Sequence, residues 1–414
     1  MAPRLSGRTA VAACALALAL TGGAVAIGGG GDGHRPTVAA EPPPQQLGTG
    51  GLDRSVQTLQ THLRSQPQDF GAWATLGTAY VEQARTLGDP SRYPQAQRAL
   101  SRSLKLRPDG NDAALAGRAA LAAARHDFRG ALRDARRALA VNPYSERALS
   151  TRIDALVELG RYGEAGRAAS EADARRPGIP VFTRFSYVRE LRGDVTGARR
   201  VLRQALASAS SPADEAYVAT ALGQLAWRQG DFGESLRDCG RALRADASYV
   251  PALECRGRAR AGRGDTAAAV ADLRDVVARY PLPGPLVELG ELYEKQGKLS
   301  AARAQYGLVS AWIALARANG VDVDLDTALA AAEHGDRKAA LRAARAEWAR
   351  RHTVHTADAL GWALHVNGHD SEALRYARFA THTGYRDATF FRHRGIVARG
   401  AERKEWLNKA RTLT

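Results

Sequence analysis

Cysteine is almost missing from this chain: 414 residues contain three, at positions 14, 239 and 255. So few thiols build neither a disulfide framework nor a paired C-x-x-C metal site, so packed apolar surface has to supply the stability. Aromatic residues are also sparse, at 6%, and the heavy use of Ala, Leu and Arg favours closely approaching helices over β-sandwiches. The motifs H-E-x-x-H and G-x-S-x-G, the P-loop, and G-x-G-x-x-G between a strand and a helix do not occur. No enzymatic activity, catalytic residue, cofactor or metal site is therefore expected. Blocks of like charge are missing too. The formal net charge is +16, yet Arg is spread along the chain and alternates with Asp and Glu, which describes a solvated basic surface. An anionic envelope polymer stays open as a ligand on that charge, and nucleic acid is not expected.

One long apolar stretch is present, at the start. Arg4 and Arg8 precede an Ala, Val and Leu run, which is followed by small residues and an A-x-A site ending at Ala26. Residues 1–26 are expected to be a signal peptide or, if uncleaved, an N-terminal anchor, since apolar character from Thr9 to Ile27 is about long enough to span a bilayer. Such an anchor would be the chain's one membrane contact. The protein is expected to be secreted or associated with the cell envelope. Residues 27–51 are rich in Gly and Pro and nearly free of large apolar side chains, and they read as a disordered linker.

From Leu52 the pattern changes to apolar residues three and four apart, broken about every fifteen residues by Gly-Asp or Pro. One phrase recurs: HDFRGALRDARRALAVNP at 126–143, GRYGEAGRAASEADARRP at 160–177, GDFGESLRDCGRALRADA at 230–247 and GDTAAAVADLRDVVARYP at 264–281. The preceding halves carry Trp73, Leu76, Gly77 and Tyr80, then Leu222 with Gly223, Leu286, Leu289, Gly290 and Tyr293, and Leu360 with Gly361. This arrangement resembles the tetratricopeptide repeat, with its 34-residue period. The resemblance covers about 52–414 and implies an all-α fold, a right-handed superhelical solenoid of antiparallel helix-turn-helix repeats. Where two helices cross closely one position must be Gly or Ala, and facing residues such as Ala131, Ala138, Ala165 and Ala172 must be small. Hairpins are expected near residues 90, 127, 161, 194, 231, 265, 298, 336 and 369, with a lone helix before them. The one near 194 offers Phe182, Phe185 and Ser186 in place of Leu-Gly. A longer second helix after Leu299 divides the array into 52–320 and a C-terminal region of repeat-like hairpins and cap, 321–414.

The resemblance implies a non-enzymatic scaffold that holds a protein, peptide or polymer in a concave groove lined by first-helix residues. Aligning on the Leu-Gly pair places Asp154, Glu158, Tyr187, Gln224, Trp227, Arg228, Glu254, Arg258, Glu291, Glu294, Trp362 and His365 there. A protein or peptide ligand is the leading expectation. The alternative is a metal-dependent factor or enzyme built on the His-rich C-terminal part, which holds His334, His352, His355, His365, His369, His382 and His393. His365 and His369 have metal-ligand spacing, but Asn367 and Gly368 put a turn between them. Asp322, Asp324 and Asp326 read as acids complementing a helix N-terminus. Cys239 and Cys255 fall on helices that pack together; they are either a disulfide or two buried thiols.

Overall fold

The computed structural model describes residues 49–414, with side chains from residue 51 onward. The expected signal segment and residues 27–48 of the expected linker lie outside the described residues. The last three linker positions open the first helix instead. The chain runs through α1 (Thr49–Ser65), α2 (Phe70–Leu87), α3 (Tyr93–Leu106), α4 (Asp112–Ala124), α5 (Phe128–Val141), α6 (Glu146–Glu158) and α7 (Tyr162–Arg175). Next come α8 (Ile179–Leu191), α9 (Val195–Ala207), α10 (Pro212–Arg228), α11 (Phe232–Ala245), α12 (Val250–Gly262), α13 (Thr266–Arg279) and α14 (Pro283–Lys295). The remainder is α15 (Leu299–Ala318), α16 (Asp324–His334), α17 (Arg337–Arg350), α18 (Val354–Val366), α19 (Asp370–Ala380), α20 (Ala388–Val397) and α21 (Gly400–Arg411). After the lone α1, each pair from α2–α3 to α20–α21 is an antiparallel hairpin, and the hairpins stack into a right-handed superhelical solenoid. Among the described residues there is no strand, and no helix is long and apolar enough to cross a membrane.

The recurring Gly-Asp is the hairpin turn itself. Gly193, Gly230 and Gly264 end first helices in the left-handed region, with φ of 79°, 78° and 84°. The Asp that follows caps the second helix: Asp194 accepts from the Gly197 amide at 2.8 Å, and Asp231 from the Glu234 amide at 3.0 Å. At the crossings the missing side chain is a steric requirement. A Cβ on Gly77 would lie 2.5 Å from Leu100 Cγ, and one on Gly290 would lie 2.4 Å from Tyr306 Cε1. Ala131, Ala138, Ala165 and Ala172 face such crossings with no exposed surface. In α8 the glycine is replaced by Ser186, whose buried hydroxyl donates to the Ala198 carbonyl at 3.0 Å, so the polar atom that fills the gap is satisfied.

The superhelix closes on itself. Trp312 donates its indole N–H to the Gly88 carbonyl at 3.1 Å, and the Asp322 amide donates to the Arg125 carbonyl at 3.0 Å. The Val354 amide donates to the Tyr162 hydroxyl at 3.0 Å. Gly160, Gly193 and Gly230 approach the backbones of His352, Gly384 and Leu413 so closely that a Cβ would lie 2.0, 3.1 and 2.9 Å from the nearest backbone carbonyl or Cα. Four successive hairpin turns, from Arg125 to Gly230, thus dock on the second coil, and the turn before them, at Gly88, meets α15. One apolar cluster is shared between residues 115–191 and residues 354–390, with Tyr385 and Phe390 at its centre. The 20-residue α15 therefore leads into hairpins that seat themselves on the first coil.

Cys239 and Cys255 form a disulfide, with Cα atoms 6.0 Å apart, that lies directly on Gly223. A Cβ on Gly223 would come within 2.5 Å of one sulfur and 2.9 Å of the other. Gly223→Leu is expected to lower stability by about 1–3 kcal/mol or more through overpacking. Gly307, mid-helix in α15 with open space around it, should accept Ala with a gain of about 0.5–1 kcal/mol. Urea titration of both variants checks this, and an unchanged midpoint for Gly223→Leu would refute the crossing.

Candidate binding face

First helices face the superhelix axis, and closing the coil makes that axis narrow. Charged residues on successive first helices meet across it and pair. Glu82 on α2 accepts from Arg85 at 2.9 Å and from Arg147 of α6 at 3.2 Å. Arg184 of α8 donates to Asp154 of α6 at 2.9 Å, and Arg228 of α10 makes two parallel bonds to Glu190 of α8 at 2.5 and 2.7 Å. Arg258 of α12 bonds Glu288 of α14 at 2.9 Å and lies 2.5 Å from Glu254. Arg351, which precedes α18 in the second coil, bonds Glu158 of α6 and so ties one coil to the other.

Burial governs the titration of this column. It pushes the Glu82 carboxyl up, but the adjoining Arg85 and Arg147 guanidiniums overcome it and hold the group below its ordinary range. At Glu288 burial wins over Arg258, and the carboxyl is pushed up to about 7. Asp387, buried and facing Asp358, is raised to about 6. His355 is driven down to about 3 by burial, with Arg351 and Arg228 nearby.

The twelve expected groove residues divide by exposure. Tyr187, Gln224, Arg228, Glu254, Arg258 and Trp362 are buried, which corrects the expectation of an open groove at those positions. Tyr385 and Asp387 of the second coil approach Tyr187 and Arg228, Glu254 and Arg258 pair with each other, and Trp362 lies under Arg392 and against His393. Asp154 and Glu158 are half-buried and held by Arg184 and Arg351. Trp227 is half-buried, with the Arg258 guanidinium 5.7 Å from its ring centre. His365 is half-buried and bonds Asp370 at 2.7 Å. Glu291 and Glu294 sit differently. Glu291 faces His334 of α16 at 3.6 Å, and Glu294 is exposed.

Beyond these two carboxylates the first helices of the last hairpins bring further polar and aromatic residues together. His334 stacks on Tyr306 with ring centres 4.0 Å apart. Glu333 of α16 lies 3.8 Å from Arg392 of α20, and Arg392 sits over Trp362 of α18. Trp362 in turn stacks on His393, which bonds Asp358 at 3.0 Å. Sequence reading missed Glu190, Glu288, Glu333 and Arg392. Glu190, Glu288 and Glu333 stand on the first helices α8, α14 and α16, and Arg392 on the first helix α20, so one-turn steps from the named positions would have found several of them.

The histidines go to separate partners, with His365 on Asp370, His393 on Asp358 and His334 on Glu291. Among the described residues the group close enough to hold a metal is Asp322, Asp324 and Glu347. Arg350 already supplies the cation there, 2.6 Å from Asp322, 2.6 Å from Asp324 and 2.5 Å from Glu347.

Arg228→Met leaves the Glu190 carboxylate buried without its guanidinium, and a loss of about 3–5 kcal/mol is expected. Adding Glu190→Leu should restore most of it. Chemical denaturation of the single and double variants checks this; equal instability in both would mean that the pair is not what the column rests on.

Residues 192–251 and 256–319 match the sequence model of the tetratricopeptide repeat family. No curated protein matches the chain. A tetratricopeptide repeat protein from Parabacteroides merdae is similar in structure at 16% identity, with 61% of this chain and 96% of that one covered and a TM-score of 0.43. A thermophilic protein of the same repeat class from Thermus thermophilus shares 23% identity over 46% of this chain and 98% of its own, with a TM-score of 0.40. Human IFIT1, solved as a dimer with m7Gppp-AAAA, shares 14% identity over 81% of this chain and 77% of its own, with a TM-score of 0.48.

Proposed function

We propose that this chain, which is a tetratricopeptide-repeat protein, is a non-enzymatic scaffold that holds a protein or peptide partner on the concave face of its last hairpins. The observation that carries this is the state of the carboxylates. Along the first coil Glu82, Asp154, Glu158, Glu190, Glu254 and Glu288 are each met by an arginine, whereas Glu291 lies 3.6 Å from His334 and Glu294 stands exposed. With Glu333 nearby, they offer negative potential beside the aromatic ring of Tyr306. A partner segment bearing Lys or Arg fits that combination. Glu291→Lys/Glu294→Lys should leave melting unchanged, because both residues lie off the buried column, and should abolish retention of the partner in affinity capture from envelope extracts. The same proteins retained by variant and parent would sink the reading.

The same proposal places the protein outside the cytoplasm. Support comes from the basic, apolar and small-residue order of residues 1–26 and from the Cys239–Cys255 disulfide, which suits an oxidising compartment. N-terminal sequencing of protein recovered from culture medium and envelope fractions should give a start at residue 27, or an intact N-terminus in the membrane fraction. Recovery only from the cytosol would overturn it.

A further inference from the structure

Arg, Asp and Glu alternate along the sequence, but the fold sorts them into layers. The first helices of the ten hairpins, α2 to α20, hold 13 Lys and Arg against 16 Asp and Glu. Their second helices, α3 to α21, hold 30 against 13. Nearly all of the chain's positive excess therefore sits on the convex outer layer, away from the concave face of the proposed partner site.

Within that layer five successive second helices repeat one feature. Five residues after the first residue of α3, α5, α7, α9 and α11 stand Arg98, Arg133, Arg167, Arg200 and Arg237, and all five are exposed. At about 100° per residue this position lies roughly opposite the face that packs against the first helices. Stacked hairpins carry equivalent positions side by side, so the five form a row along the convex surface. None of the five donates a hydrogen bond or closes an ion pair among the described residues. The nearby carboxylates are bonded to other arginines, Glu164 to Arg161 at 2.6 Å and Asp194 to Arg189 at 2.7 Å, so Arg167 and Arg200 act on them only at longer range. Asp238, beside Arg237, is half-buried and makes no ion pair with it.

We infer that the row Arg98, Arg133, Arg167, Arg200 and Arg237 is a docking strip for a linear polyanion, a polymer with oxyanions at regular intervals that engages several guanidiniums at once. Each guanidinium presents a fork that matches phosphate or carboxylate oxygens, and five in register multiply weak single contacts through effective concentration. The strip reads charge and not bases. The aromatic residues that start these helices, Tyr93, Phe128, Tyr162 and Phe232, are buried or half-buried and do not alternate with the arginines, so the stacking platforms of a single-strand binder are missing. A base-free polymer is the occupant this surface fits.

The test is titration of the full chain, at physiological ionic strength, with long-chain polyphosphate, polygalacturonate and oligo(dT). R98Q/R133Q/R167Q/R200Q/R237Q is compared with a control that removes five exposed cations elsewhere in the outer layer, R303Q/R317Q/R337Q/K338Q/K404Q. Binding of polyphosphate or polygalacturonate that the row variant weakens by at least about tenfold, and the control by less than about threefold, establishes the strip. Which polymer binds identifies the oxyanion. The row variant should also flatten the salt dependence, because fewer counterions are displaced. Tripolyphosphate, which cannot engage the whole row at once, should bind far more weakly than the long chain. Equal losses in both variants would reduce the effect to net charge and overturn the proposal. So would no binding of either polymer, or tighter binding of oligo(dT) than of polyphosphate of equal charge. Both variants alter only exposed side chains, and matching melting curves confirm that each is folded.

Discussion

The organisation of this protein depends on the space between the two helices of a hairpin. Where Gly77 meets Leu100, Gly223 meets the disulfide and Gly290 meets Tyr306, no Cβ fits. Helices that approach so closely cross at a fixed angle, and a fixed angle repeated ten times fixes the curvature of the array. Curvature in turn determines that the turn at Gly88 meets α15 and that those at His126, Gly160, Gly193 and Gly230 meet the second coil. A local steric requirement thus reaches, through repetition, to contacts between residues far apart in sequence.

Closing the coil decides what happens to charge. A first-helix carboxylate in an open groove would be hydrated; here it shares a narrow axis with first helices from both coils and loses that water. Burial of an unpaired ion is far costlier than burial of a bonded pair, so the axis is populated by arginine and carboxylate in contact. Glu158 shows the dependence most directly, since its partner Arg351 comes from the opposite coil. At the far end of α14 the requirement relaxes: Glu291 lies near His334 and Glu294 is exposed.

The hairpins were legible in the sequence because their signals are local. Gly-Asp turns, small residues at the crossings and the Leu-Gly pair lie within one repeat, and even the weak repeat near residue 194 kept its place through Ser186 and Ala198. The exposure of Tyr187 and Arg228 was not legible, because it is set by another coil. Nothing within α8 or α10 announces that Tyr385 and Asp387 will arrive about 200 and 160 residues later to cover them. Charge shows the same limit. Read linearly, arginine and acid alternate without pattern. Folded with a 34-residue period, the same residues separate into a balanced inner layer and a strongly basic outer one.

That separation constrains how the protein can hold anything. Admitting a ligand into the first-coil axis would mean breaking pairs such as Arg228–Glu190 and Arg351–Glu158, each of which would strand a buried charge, and peeling the turn at Gly160 from the backbone of His352. Those losses are cooperative, because neighbouring hairpins share the same edge contacts, and a ligand would have to offset them together. Surfaces that need no opening are favoured by that whole difference. On the concave side this leaves the carboxylates of α14 and α16, and on the convex side it leaves the arginine row. The two faces carry opposite charge and stand on different helices of the hairpins.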